Sequence, residues 1–149
     1  MDLKKYTVVA SGKMRDVAFQ KLSQEVNLLD CQTGKLSKEE LEARLAKADA
    51  LYSAGNIKIN EELLAKAPNL KVIAQASVGY DNIDVEACAA HNIPVGNTPG
   101  VLVDAVADLT YALILDSARH FVQADAFVKS GKWGERKPFG LTTDLAGKT

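Results

Sequence analysis

Residues 77–81, Ser-Val-Gly-Tyr-Asp, follow an apolar run and have the residue types needed to bind an anion. Gly79 has no side chain, so the backbone N–H groups around it can converge on a small negatively charged ligand such as a carboxylate. A glycine is also a common structural feature of strand-to-helix turns, so this pattern alone leaves both interpretations open. Whether the loop binds an acid depends on the elements that position it.

Apolar, β-rich runs alternate with segments of helical period along the first 100 residues. Ser37 and Glu40 form the pattern of a capping box, and Asp84 is a second predicted helix cap. The predicted strands are residues 6–10, 26–29, 50–53, 70–76 and a fifth that begins at 93. Strands that alternate with helices require right-handed crossovers, with helices on both faces of the sheet. The sequence therefore predicts an α/β fold: a flavodoxin-like, doubly wound, five-stranded parallel sheet of order 2-1-3-4-5.

In open sheets of this kind, ligands bind outside the carboxyl ends of the strands, near the point where strand order reverses. The loops after strands 1, 3 and 4 are therefore the candidate sites. Flavodoxin-like folds also hold flavins, but residues 11–15, Ser-Gly-Lys-Met-Arg, make a poor phosphate loop. Flavin mononucleotide is the weaker alternative.

The segment that starts at residue 101 has a different pattern. Residues 101–115 are apolar nearly all round, and Asp104 and Asp108 form a thin polar stripe. The pattern continues to residue 128 and predicts one long C-terminal helix of about 30 residues, well above the usual length. Pro99 and Gly100 precede it as a possible hinge, and an irregular tail follows it. We predict two domains: residues 1–98 form the layered sheet, and residues 99–149 either complete it or exchange between two chains.

Composition excludes several classes of partner. The formal net charge is −1, with 25% charged residues, so no basic surface for nucleic acid is expected. No apolar stretch approaches the roughly 20 residues that span a bilayer, and no signal peptide is visible, so we expect a cytoplasmic protein without membrane contact. Cys31 and Cys88 form no C-x-x-C pair, which favours two buried thiols over a disulfide or a metal site.

Three segments follow one another at a spacing that resembles the D-isomer-specific 2-hydroxyacid dehydrogenases: residues 76–84, 92–100 and 104–108. The resemblance is strongest over residues 70–133 and is closest to the glyoxylate/hydroxypyruvate and 2-ketogluconate reductase branch. The first 65 residues agree mainly in the order of their elements. The resemblance makes residues 1–98 the substrate-binding layer of such an enzyme.

The resemblance also implies residue roles. The backbone N–H groups of Val78 and Gly79 hold the substrate carboxylate, and the loop that starts with Ser53 and Ala54 lines the same cleft. Residues 97–100 become the crossing between domains.

In this family the long helix belongs to the nucleotide-binding domain and, with the stretch that follows it to residue 133, takes part in a dimer. The resemblance therefore implies a homodimer through residues 101–133. Two departures weaken the transfer of finer detail. Val103 stands where relatives commonly have a threonine that touches the cofactor, and Arg136 stands where some relatives have a second tryptophan.

Hydride transfer in this family needs a G-x-G-x-x-G turn, an arginine and a histidine with an acidic partner. None of the ten glycines forms a G-x-G, and His91 and His120 match neither catalytic position. No catalytic, cofactor-binding or metal-binding residue is therefore predicted, and NAD or NADP is expected only in the parent enzyme. The chain is interpreted as a truncated front part that folds without catalysis and binds a 2-keto or 2-hydroxy acid at most weakly. Two alternatives are a weak carboxylate-binding module and a segment that needs the missing half in trans.

Overall fold

A computed structural model describes residues 2–31, 34 and 36–148. Strands and helices alternate along the first 96 residues, and two further helices follow. The strands are β1 (Thr7–Ala10), β2 (Asn27–Leu29), β3 (Ala50–Ser53), β4 (Val72–Gln75) and β5 (Val95–Gly96). The helices are α1 (Asp16–Glu25), α2 (Lys38–Leu45), α3 (Glu61–Leu64), α4 (Val85–Ala90), α5 (Val103–Arg119) and α6 (Phe121–Lys129).

The five strands form one parallel sheet in the order β2-β1-β3-β4-β5, which confirms the predicted fold. β1 lies at the point of reversal, because β2 pairs on one side of it and β3 on the other. All five carboxyl ends therefore lie at one edge of the sheet, which is where ligands bind in folds of this kind.

One face of the sheet carries the apolar core. Val9, Leu51 and Ile73 come from the three central strands and are at most 1% exposed. They pack in one cluster with residues of α2, α3 and α4, among them Leu45 and Cys88. Each large apolar side chain buried in this way contributes about 1.5–3 kcal/mol.

The other face of the sheet is covered less completely. The crossover from β1 to β2 runs in the opposite direction to the later ones, so right-handedness places α1 on this face. Val72, on β4, is 40% exposed, and Ala74 on the same face is also exposed.

Both caps predicted from the sequence are confirmed. Ser37 Oγ accepts the N–H of Glu40 at 3.1 Å, and a carboxylate oxygen of Glu40 accepts the N–H of Ser37 at 3.2 Å. Asp84 accepts the N–H of Ala87 at 2.9 Å at the start of α4. These bonds satisfy backbone donors that a helix leaves free at its first turn.

The chain divides into two compact units, Met1–Gly100 and Val101–Thr149. The first contains the sheet, and the second contains α5, α6 and the tail. The roles assigned to residues 1–98 and 99–149 stay predictions.

The predicted long helix is confirmed as α5 (Val103–Arg119), but its expected length of about 30 residues is wrong, because the backbone turns at His120. This residue has φ 55° and ψ 45°, the left-handed conformation that commonly ends a helix. The carboxylate of Asp116 then accepts the N–H of Val122 at 3.0 Å and so supplies a cap for α6. The apolar periodicity of the sequence continues through residue 120, so the periodicity alone does not reveal the break.

The predictions for the cysteines, for membrane-spanning segments and for metal ligands can also be compared with the structure. Cys31 and Cys88 are both free and buried, as predicted, and burial raises the pKa of the Cys88 thiol. Within residues 2–31, 34 and 36–148, no helix is long and apolar enough to cross a membrane, and no cluster of metal-ligating side chains is present.

Candidate functional site

Three loops meet at the carboxyl ends of the central strands: residues 11–13 after β1, 54–56 after β3 and 76–82 after β4. Parallel pairing brings them to the same edge. The ladder continues into the last of these loops, because the N–H of Ala76 donates to the carbonyl of Ser53 at 2.8 Å.

A hydrogen-bond network joins the first two loops. The buried hydroxyl of Ser11 donates to Asn56 Oδ1 at 2.8 Å and accepts the N–H of Ala54 at 3.1 Å. Asn56 Nδ2 donates in return to the carbonyl of Ser11 at 2.9 Å. A Cβ atom on Gly12 would lie 2.9 Å from the Cβ of Ala54, so only glycine allows the loops to approach this closely.

In the loop after β3, Gly55 is more accessible than Ser53 and Ala54. The side chain of Ser53 is fully buried, and the N–H of Ala54 is already engaged by Ser11. Gly55 is exposed and has φ +78°, a conformation that glycine adopts without strain. A Cβ at this position would lie 3.9 Å from Ser77 Oγ, so the loops after β3 and β4 are neighbours.

The buried side chain of Gln75 forms hydrogen bonds with the loop after β4. This side chain is 3% exposed. Its Nε2 atom lies 2.9 Å from Ser77 Oγ, 3.1 Å from the Gly79 carbonyl oxygen and 2.9 Å from Asn82 Oδ1. The Oε1 atom of Gln75 is buried and has no hydrogen-bond partner among the described residues.

Two donors hold the same loop through its carbonyl groups. The N–H of Thr98 donates to the Ser77 carbonyl at 3.1 Å, and Asn97 Nδ2 donates to the Val78 carbonyl at 2.8 Å. In a trans peptide, the C=O and the following N–H point in opposite directions. The N–H groups of Val78 and Gly79 therefore point away from residues 97 and 98, towards a common side.

Neither of these N–H groups donates to a protein acceptor among the described residues, and both residues are exposed. Two adjacent, unpaired backbone N–H groups on one side of a turn form a concave site for an anion. No basic side chain belongs to the loop, and a carboxylate oxygen of Asp81 lies 3.4 Å from the position of a Cβ on Gly79. An anion at this turn would be attracted by backbone dipoles alone, and the negative charge of Asp81 would oppose it.

The two histidines lie outside these loops. His91 ends α4, and its Nε2 atom lies 2.9 Å from a carboxylate oxygen of Glu61. His120 lies at the break between α5 and α6.

Comparison with known proteins identifies the family. Residues 8–145 match the model of the D-isomer specific 2-hydroxyacid dehydrogenase catalytic domain. The chain belongs to this family. The predicted resemblance is thus confirmed over nearly the whole sequence.

Individual members of the family support this assignment. The chain is 54% identical over 90 residues to a glyoxylate reductase of Thermococcus litoralis, a match that covers 60% of this chain and 27% of that enzyme. A 2-hydroxyacid dehydrogenase structure from Ketogulonicigenium vulgare is 26% identical with a TM-score of 0.81, and the match covers 97% of this chain and 45% of that one. The chain thus spans less than half the length of these relatives.

A third relative was crystallised with ligands. An NADPH-dependent glyoxylate/hydroxypyruvate reductase from Sinorhizobium meliloti, in complex with NADP and malonate, is 27% identical with a TM-score of 0.73. The match covers 97% of this chain and 44% of that one.

The spacing of the glycines in this chain does not match that of a dinucleotide-binding turn. In such a turn, G-x-G-x-x-G lies between a strand and a helix, and the absence of side chains leaves room for the pyrophosphate of the dinucleotide. No two glycines here are spaced as G-x-G. In the turn after β1, the space beside Gly12 is filled by Ala54.

Proposed function

We propose that residues 1–98 hold the carboxylate of a small 2-keto or 2-hydroxy acid, as the substrate-binding part of an NAD(P)-dependent D-2-hydroxyacid dehydrogenase of the glyoxylate/hydroxypyruvate type. The observation that carries the proposal is the pair of unpaired, outward-facing N–H groups of Val78 and Gly79. Ser53 and Ala54 then shape the neighbouring wall, and the exposed backbone of Gly55 faces the ligand.

The relatives support an acid as the ligand. The Sinorhizobium meliloti reductase was crystallised with citrate and, separately, with malonate, both of which are carboxylates. Several curated relatives are glyoxylate reductases, and glyoxylate is a 2-oxo acid. A carboxylate is planar, with two oxygens that can each accept a hydrogen bond, which suits two adjacent N–H donors.

We also propose that these 149 residues alone do not transfer a hydride. The glycine spacing does not fit a pyrophosphate, and neither histidine belongs to the loops that form the candidate site. In the parent enzyme, other residues would bind NAD or NADP and supply the acid/base pair. Because only two neutral donors face the ligand, the affinity for a free acid is expected to be on the order of millimolar.

Two measurements on the same sample test this function. Titration of ¹⁵N-labelled protein with hydroxypyruvate is expected to shift the amide signals of Val78 and Gly79 first, whereas glycolaldehyde, which has no carboxylate, leaves them in place. Mixing concentrated protein with glyoxylate and NADH or NADPH is expected to leave the nicotinamide absorbance unchanged. Shifts confined to other residues would refute the carboxylate site, and steady turnover would refute the lack of catalysis.

A second copy of the chain is the proposed partner. α5 and α6 have no buried residues, and large apolar side chains along them stay exposed, including Leu109 at 60% and Phe121 at 54%. Exposed apolar surface on this scale usually marks an interaction site. A homodimer through residues 101–133 would bury these side chains.

A further inference from the structure

The side chain of Asn97 lies against the loop that carries the candidate site. Its Nδ2 atom donates to the carbonyl oxygen of Val78 at 2.8 Å, across 19 positions of sequence. The N–H on the other side of that peptide belongs to Gly79, one of the two donors assigned to the carboxylate. The amide of Asn97 therefore acts on the orientation of a ligand-binding group that it does not touch.

Apart from the hydrogen bond from Asn97, little restricts rotation of the peptide between Val78 and Gly79. Rotation of the Val78–Gly79 peptide by about half a turn changes the φ of Gly79, and glycine accepts either sign of φ without a steric penalty. Such a rotation would exchange the two ends of the peptide, so that a carbonyl oxygen would face the ligand in place of the N–H. A carbonyl there would repel a carboxylate.

The neighbouring peptides are held in other ways. The Ser77 carbonyl accepts from the backbone N–H of Thr98, which no substitution except proline removes. The Gly79 carbonyl accepts from both Gln75 and Ser77. Among the described residues, the Val78 carbonyl accepts a hydrogen bond from Asn97 alone.

We propose that Asn97 is a positioning residue that locks the Val78–Gly79 peptide with the N–H of Gly79 facing the ligand. The effect on acid binding rests on the proposed function, whereas the peptide orientation itself is a property of the free protein.

The test compares the whole chain with an Asn97→Ala variant by NMR. The nuclear Overhauser effect between the Gly79 N–H and the Val78 Hα reports the orientation of the peptide, and ¹⁵N relaxation dispersion reports exchange between orientations. The matched control is Asn27→Ala, which removes a donor to Thr7 Oγ1 at 3.1 Å, away from the loop. If the alanine variant lost its fold, Asn97→Asp, which keeps the shape but lacks the donor, would serve for the peptide measurement.

We expect Asn97→Ala to change the Gly79 signal by a new exchange contribution or an altered Overhauser effect, and Asn27→Ala to leave it as in the wild type. Affinity for hydroxypyruvate is expected to fall about five- to tenfold, the effect of one hydrogen bond. An unchanged Gly79 orientation and no exchange in the Asn97 variants would overturn the proposal. If the wild type showed no response to hydroxypyruvate, the proposed function would fail, and the Gly79 measurement would still decide the role of Asn97.

Discussion

Asp49 and Lys71 form a 2.7 Å ion pair at the amino-terminal edge of the sheet, where Asp49 precedes β3 and Lys71 precedes β4. The same carboxylate accepts the N–H of Thr7, at the start of β1, at 3.0 Å. One side chain thus connects three neighbouring strands at the edge opposite the candidate site. The hydrogen bond from Lys71, followed by that from Thr7, lowers the pKa of Asp49.

The lowered pKa of Asp49 predicts a pH-dependent contribution to stability. A carboxylate whose pKa is lower in the folded than in the unfolded state stabilises the fold above the ordinary aspartate pKa, about 4. That contribution is lost as the pH falls through the folded-state pKa. Asp49→Asn should therefore lower the free energy of unfolding at pH 7, and the difference from the wild type should shrink below about pH 4. Urea unfolding between pH 3 and 7 measures this difference, and the control is Asp108→Asn, at an exposed position of α5. A difference that stays constant with pH would contradict the prediction.

The buried amide of Gln75 predicts a cost for an apolar replacement. Gln75→Leu removes the donor to Asn82 Oδ1 and one of the two donors to the Gly79 carbonyl. We expect the free energy of unfolding to fall by about 1 kcal/mol, the net contribution of a hydrogen bond, because Asn82 Oδ1 is only partly buried and the unpaired Oε1 atom of Gln75 is removed as well. Gln24→Leu makes the same change at an exposed position of α1 and should have an effect within about 0.5 kcal/mol. Equal effects of the two substitutions in urea unfolding would show that the amide of Gln75 does not support the loop.

The contact between the first two loops predicts that Gly12 tolerates no side chain. Gly12→Ala places a Cβ 2.9 Å from the Cβ of Ala54 and should destabilise the protein by about 1–3 kcal/mol through overpacking. Ala54→Gly in the same background should restore part of the loss, because it removes the atom that clashes. Gly140→Ala, where a Cβ would meet no atom within 4 Å, is the control. Thermal unfolding distinguishes the variants, and the idea fails if Gly12→Ala and Gly140→Ala melt alike.

If two chains associate through α5 and α6, a charged residue introduced on α5 should weaken the dimer. Leu109→Glu should shift the equilibrium towards monomer, because burial of an unpaired carboxylate at an apolar interface is costly. Leu141→Glu makes the same change at a fully exposed position of the tail and should leave association unchanged. Sedimentation velocity over a range of protein concentrations measures the equilibrium. A wild type that stays monomeric at every concentration would exclude the dimer.

The fold could be predicted from the sequence because strands and helices alternate and their ends are marked by helix-capping residues. Two caps, at Ser37 and Asp84, use local bonds that span three residues, so local sequence is enough to predict them. The break at His120 was missed because the residue adopts a left-handed conformation that its type does not demand. Its stabilising bond comes from Asp116, six residues before the N–H that it caps.

The candidate site was predictable only in part. The turn at Val78 and Gly79 follows a recognisable strand and matches a family motif. A signal for Gln75 was present but was not used: strand alternation places it on the same face as the buried Ile73, so a buried polar group was to be expected there. The pairing of Asn97 with the Val78 carbonyl has no local signal, because it depends on how β4 and β5 pair in three dimensions.

β3, β4 and β5 join one side of β1 in the order in which the chain is made. Each of these strands, as it leaves the ribosome, meets a partner that has already been synthesised. Parallel pairs need long crossovers and are slow to form, and unpaired edges invite aggregation in the meantime. Growth of the sheet in step with translation shortens that interval for β3, β4 and β5 alike, so this topology suits a domain that folds during its own synthesis.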